Sequence, residues 1–135
     1  MAYVTVTESE DLFTGNDGIV IVSAHDEITG GVVLDTTGWN LDYIPAGHPI
    51  IQDQVSGDYK PFPLASGDAA LGTLPASHQY VGVLRASILK KKPFGSVVYH
   101  GTINPKAMKF NPSSILSALK SACPHLHFAS DVWTS

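Results

Sequence analysis

The sequence predicts a mainly β, single-domain protein with one short α-helix and an extended N-terminal arm. Three observations carry this. Short runs rich in β-branched residues recur between clusters of Gly, Pro, Asn and Asp, the pattern of strands separated by turns. One stretch alone, after Asn111-Pro112, combines a helix cap with an apolar face. The chain has 135 residues, 44% hydrophobic and 15% charged, enough for one core and with no linker long enough to divide it.

Near the N-terminus, Val4 and Val6 alternate with Thr5 and Thr7 before the acids of Glu8-Ser9-Glu10-Asp11 interrupt them. Residues 1–15 are therefore read as a strand-prone arm and 16–135 as the domain. Residues 18–23, bounded by Asn16-Asp17 and by Asp26-Glu27, predict the first strand, and 30–34 the second. Pro45 and Gly47 suit a tight turn before the strand Ile50-Ile51-Gln52. Ser56-Gly57-Asp58 predicts a hairpin, and Pro61 and Pro63 end its return strand because neither can donate to a ladder. Residues 64–77, rich in Ala, Gly and Ser, read as a loop.

Residues 79–89 give the longest strand signal, with Gly82 marking a bulge or a close backbone approach. Lys90-Lys91-Lys92-Pro93-Phe94-Gly95 reads as a polar turn into a strand at 96–103, the two strands forming the central hairpin of the sheet. The helix is expected over 113–122, capped by Asn111, with Ile115, Leu116, Leu119 and Ala122 on its apolar face and Pro124 stopping it. His125-Leu126-His127-Phe128 then alternates and returns to the sheet.

Eight Lys+Arg against twelve Asp+Glu leave a net charge of −4 and no basic stripe, which argues against a nucleic-acid partner held by phosphate neutralisation. No apolar run approaches the ~20 residues that cross a bilayer, so no membrane partner is expected. The first residues lack the basic and apolar regions of a secretory signal, so the chain is expected to be made in a cytoplasm. Cys123 is the single cysteine, which excludes an intramolecular disulfide.

Chemistry-bearing groupings are sparse. Cys123, His125 and His127 form a Cys-x-His-x-His run, but a zinc site needs a fourth ligand in closed geometry, and no metal or other cofactor is expected. A thiolate at Cys123 with His100 or His48 as base is disfavoured because a helix C-terminus destabilises a thiolate. Asp11, Asp17, Asp26, Asp35, Asp53, Asp58 and Asp68 fall on turns, where Asp bonds the nearby backbone. No Gly-x-x-x-x-Gly-Lys loop and no Gly-x-Ser-x-Gly elbow occurs. Lys90, Lys91 and Lys92 read as a solvated turn, and Trp39 and Trp133 as core or interface residues. The expectation is a binding or structural module, not an enzyme.

From Gly30 onward the chain resembles the lambda-type head decoration proteins and related head-fibre proteins of tailed phages. The stretches that carry the resemblance are Ile44-Pro45-Ala46-Gly47-His48-Pro49-Ile50, Asp58-Tyr59-Lys60-Pro61-Phe62, Tyr80-Val81-Gly82-Val83-Leu84 and Gly101-Thr102-Ile103-Asn104. It covers roughly three-quarters of the chain, and its specificity lies in the order and spacing of short pieces. What it implies is a small β-barrel, β-tulip-like subunit, usually a homotrimer, on the outer surface of the virion, with the major capsid protein of the same phage as partner. The arm residues Ala2, Tyr3, Val4, Thr5, Val6, Thr7, Leu12 and Phe13 would then bind the capsid. The triple lysine departs from the family's pattern. Two other readings stand beside it: a glycan-adhesion module displayed on the virion, and a small metal-dependent hydrolase using Cys123, His125 and His127.

Overall fold

The computed structural model describes residues 20–28 and 30–128. They form a mainly β domain whose principal sheet curls into a half-barrel, with one short helix. The strands are β1 (Ile21–Glu27), β2 (Val32–Val33), β3 (Tyr43–Ile44), β4 (Pro49–Asp53), β5 (Tyr59–Pro61), β6 (His78–Leu84), β7 (Ile88–Leu89), β8 (Phe94–Gly95), β9 (Val97–Ile103) and β10 (Leu126–Phe128). A 3-10 turn at Pro105–Ala107 and helix α1 (Leu116–Ala122) lie between β9 and β10.

The principal sheet runs β1-β9-β6-β4-β5, and β10 joins β9 in parallel. Val98 of β9 pairs with both Glu27 and Val83, while Gly101 pairs with both Ala24 and Leu126. One flank of β9 is thus lined by β1, and the other is shared end to end by β6 and β10. Two small antiparallel ribbons, β2 with β8 and β3 with β7, complete the strand pairing.

Ile50 and Ile51 are adjacent in β4, so their side chains point to opposite faces, yet both are fully buried. Both faces of this strand must therefore be covered. Ile50 packs with Val32, Leu34, Trp39, Ile44, Leu84 and Val97, and Ile51 with Phe62, Leu71, Phe110 and Ile115. A third cluster joins Leu119 and Cys123 to Val20, Val83, Val98, Ile103, Leu126 and Phe128. Burial of a side chain such as Leu119 stabilises the fold by roughly 1.5–3 kcal/mol and holds the helix over the sheet.

Several elements differ from the sequence expectation. The first strand runs through Asp26 and Glu27 instead of stopping before them: both pair with β9, Asp26 reaches His100, and Glu27 lies 3.5 Å from Arg85. The 79–89 run is broken after Leu84. The hydroxyl of Ser87 accepts a bond from the Ala46 N–H, and Ile88-Leu89 pairs with β3 in a separate ribbon. β6 and β9 are central neighbours as expected, but the connection between them carries β7 and β8 and is not a tight hairpin.

Helix α1 starts at Leu116, three residues later than expected. Asn111 does not cap it: its side-chain oxygen accepts from the Ser113 N–H, the Ile115 N–H bonds the Pro112 carbonyl, and residues 113–115 are spent in a turn, so the N-cap position falls on Ile115 without a side-chain bond. Ala122 is exposed, and Cys123 takes its place in the apolar row after Ile115 and Leu119.

Candidate functional site

The proposed capsid-binding residues Ala2, Tyr3, Val4, Thr5, Val6, Thr7, Leu12 and Phe13 lie outside the described residues, as does Trp133. Among the described residues no helix is long and apolar enough to cross a membrane.

The Cys-x-His-x-His run is not brought together. Cys123 is buried at the C-terminus of α1, whereas His125 and His127 are exposed on either side of buried Leu126. Burial pushes the Cys123 thiol up to about 11, which keeps it protonated near neutral pH. His125, in the turn just before β10, instead joins a row with two strand histidines: its ring centre is 5.5 Å from that of His100 in β9, which is 5.2 Å from that of His25 in β1. Nδ1 of His100 is 2.8 Å from a carboxylate oxygen of Asp26. Among the described residues, no group of three or more His, Cys, Asp or Glu is arranged to hold a metal ion.

His48, imagined as a base, is a core residue. Its ring sits edge-on to Trp39 and Phe110 at 5.0 and 5.8 Å, and its Nε2 lies 2.8 Å from the Phe62 carbonyl, to which it donates. Burial lowers its pKa to about 4, against the smaller upward pull of that hydrogen bond. It is neutral at pH 7 and ties the Pro45–Gly47 turn to β5's exit. The turn itself needs Gly47, whose φ is +80° and where a Cβ would meet Val20 at 2.3 Å.

Two of the turn acids bond as expected. The hydroxyl and N–H of Thr37 both donate to Asp35 Oδ1, at 2.7 and 3.1 Å, and these bonds hold its carboxyl below the usual range. The N–H groups of Val55 and Ser56 donate to Asp53 and lower it likewise.

Asp35 also belongs to a grouping that sequence reasoning missed. A cleft of about 430 Å³ opens between the 35–40 loop, β5 and the 63–78 segment. Asp35, Asn40, Lys60, Asp68 and His78 supply its polar groups, and Pro61, Pro63, Leu64 and Pro75 its apolar ones. The Asn40 amide approaches both carboxylate oxygens of Asp68 at 3.4 and 3.3 Å. His78, at the start of β6, is nine-tenths buried: its side chain is 10% exposed. Its Nδ1 is 2.8 Å from the Ala76 carbonyl, and its Nε2 is buried without a hydrogen-bond partner. These residues are spread from 35 to 78, with no spacing that marks them as a set. The one local signal is the Asp35-x-Thr37 turn.

Among the described residues, two exposed apolar side chains face each other across a ribbon. Val33 and Phe94 are direct cross-strand partners in the β2/β8 ribbon and are 66% and 55% exposed. The lysines preceding this ribbon are divided: Lys90 donates to the Trp39 carbonyl, while Lys91 and Lys92 have exposed side chains. No family model, curated protein or solved structure matches the chain.

Proposed function

We propose that this protein is a structural virion subunit that binds the outer surface of a phage head as a homotrimer and stabilises it. The observation that carries the reading is where the four decoration-like stretches fall. Ile44 to Ile50 leads into β4, Asp58 to Phe62 is β5, Tyr80 to Leu84 is β6, and Gly101 to Asn104 ends β9. These strands are consecutive neighbours, β9-β6-β4-β5, so the pieces that resemble the family fall on four contiguous strands of one sheet.

Two further features support it. Among the described residues β1 pairs only with β9, so it is an end strand there, and it is the first described strand after the arm in sequence. An arm of that pattern suits strand addition to a sheet edge on the shell, where main-chain hydrogen bonds supply affinity. A trimer touching several capsid subunits gains from multivalency, since its second and third contacts are effectively intramolecular, and weak seams are held without any one strong bond.

The test is addition of the purified protein to expanded heads of the encoding phage prepared without it. Saturable binding in multiples of three, with heads that then withstand higher temperature before releasing DNA, is the expected outcome. Heads that take up none of it would overturn the reading.

A further inference from the structure

We propose that His100, flanked by His25 and His125, binds a divalent transition metal ion of the copper, nickel and zinc class on the solvent side of β1 and β9. The inference does not rest on the capsid reading, and either can fail without the other.

A regular strand turns successive side chains to opposite faces, so His25 and Asp26 would not ordinarily meet one partner. Here Ala24 pairs with Gly101 and Asp26 with His100, which leaves His25 as an extra residue in β1. Such a bulge re-aims the side chains it carries. Both residues consequently reach the His100 ring, Asp26 with a carboxylate oxygen 2.8 Å from Nδ1 and His25 with its ring centre at 5.2 Å. His125 arrives on the other flank of β9. Its carbonyl accepts from the Gly101 N–H, and its ring centre is 5.5 Å from that of His100.

Asp26 decides what the central ring can do. A carboxylate only accepts, so Nδ1 carries the hydrogen whatever the charge of the ring, and Nε2 is the nitrogen left for a ligand. A carboxylate that holds one imidazole nitrogen while the other coordinates is the usual support of a metal-bound histidine. The His100 side chain is 40% exposed, so an ion can approach it from solvent. Two imidazoles on one ion, at metal–nitrogen distances of about 2.1 Å and near-tetrahedral angles, hold their ring centres roughly 5 Å apart. Both flanking rings stand near that spacing, and both are exposed and can turn toward the ion. Among the described residues no three such ligands already converge, so water completes the shell and the ion exchanges freely, unlike one in a closed structural centre. Imidazole nitrogen suits copper, nickel and zinc, whereas magnesium and calcium take oxygen.

The experiment is a calorimetric titration of the full chain, carrying no affinity tag, with copper(II), nickel(II) and zinc(II) chlorides and with magnesium chloride as comparator. The expected result is saturation at one ion per chain, tightest for copper, with magnesium silent. In amide NMR, copper(II) should broaden first the resonances around residues 25, 100 and 125. His100→Ala should weaken binding tenfold or more, and Asp26→Asn, which removes the supporting carboxylate, by about tenfold or more. His127→Ala, an exposed histidine outside the row, should leave binding unchanged. If His100→Ala does not fold, Asp26→Asn and the double variant His25→Ala, His125→Ala carry the test. Absence of saturable binding by all three metals, binding undiminished by these substitutions, or loss with His127→Ala alone would overturn the proposal.

Discussion

The carbonyl oxygen of Val98 lies 2.2 Å from the point where a Cβ on Gly82 would stand. Beside it Val83 pairs with Val98, and on the other flank the β4–β6 register slips between Ile50 and Ile51, opposite Gly82 and Tyr80. The obstacle is backbone, which cannot rotate away as a side chain can. Gly82→Ala is therefore expected to lower stability by about 1–3 kcal/mol or more, the range of forced overpacking. Gly57 gives the contrast: its φ is +82° but a Cβ there would meet nothing within 4 Å. Gly57→Ala should cost only the backbone strain, about 1 kcal/mol. Urea denaturation of the two variants, compared by midpoint at constant slope, reads the difference.

His48 predicts an acid-sensitive core. Its folded pKa, about 4, lies below the ordinary 6.5, so between those values the unfolded chain takes a proton that the folded core refuses. Stability is full above pH 6.5 and falls by about 1.4 kcal/mol per pH unit, roughly 3 kcal/mol across the window. Asp35 and Asp53, with lowered pKa values, also lose stabilisation as pH falls, but only below their ordinary 3.8, so the two effects separate. His48→Gln, which keeps an N–H donor and cannot titrate, should be less stable at pH 7 yet nearly flat from pH 6.5 to 4. Melting temperatures across that range check this, and a wild-type profile already flat there would refute it.

Cys123 should be inert to thiol reagents at pH 8 in the native protein. Its sulfur is buried among Leu119, Leu126 and Phe128, and burial raises its pKa to about 11, so both access and thiolate fraction are low. Labelling with iodoacetamide should follow the unfolding equilibrium and accelerate in urea. Fast labelling of folded protein would mean that the helix C-terminus opens locally.

Much of this fold was legible because strand and turn signals are local. Gly57, Pro61 and Pro124 each act within a few residues, and the hairpin turn, the end of β5 and the end of α1 fall where expected. The misreadings came from long-range bonds. Nothing between 79 and 89 announces that Ser87 will bond Ala46, forty-one positions away, and break the run. Ile115 and Leu119 marked the apolar row correctly, but whether Ala122 or Cys123 completed it depended on the sheet beneath. The cleft was invisible for the same reason: Asp35, Lys60 and His78 meet only after β4, β5 and β6 have paired.

The Val33–Phe94 pair is expected to serve assembly more than folding. Both side chains are over half exposed, so Val33→Ser with Phe94→Ser should change stability by no more than about 0.5–1 kcal/mol. If this ridge is part of a trimer contact, the double variant should shift mass from trimer toward monomer in light scattering at equal concentration. An unchanged mass would place the contact elsewhere.

The last expectation separates docking from folding. Val20 is a buried core residue, and the described β1–β9 ladder runs from Ile21 with Ile103 to Glu27 with Val98, all C-terminal to the arm. Deleting residues 1–13 should leave the melting temperature within about 2–4 °C of the full chain, the shift expected for 1 kcal/mol or less at this size. Under the capsid reading the same deletion should abolish uptake by heads, since Val4 and Val6 alternate with Thr5 and Thr7 in a pattern fit for strand addition and Leu12 and Phe13 supply apolar burial. Val4→Pro with Val6→Pro should reproduce that loss, because each Pro removes a ladder donor while leaving the chain length unchanged. Conversely, if the truncated protein binds heads with full affinity while the Val33→Ser, Phe94→Ser variant does not, the β2/β8 ribbon is the docking surface and the arm is not.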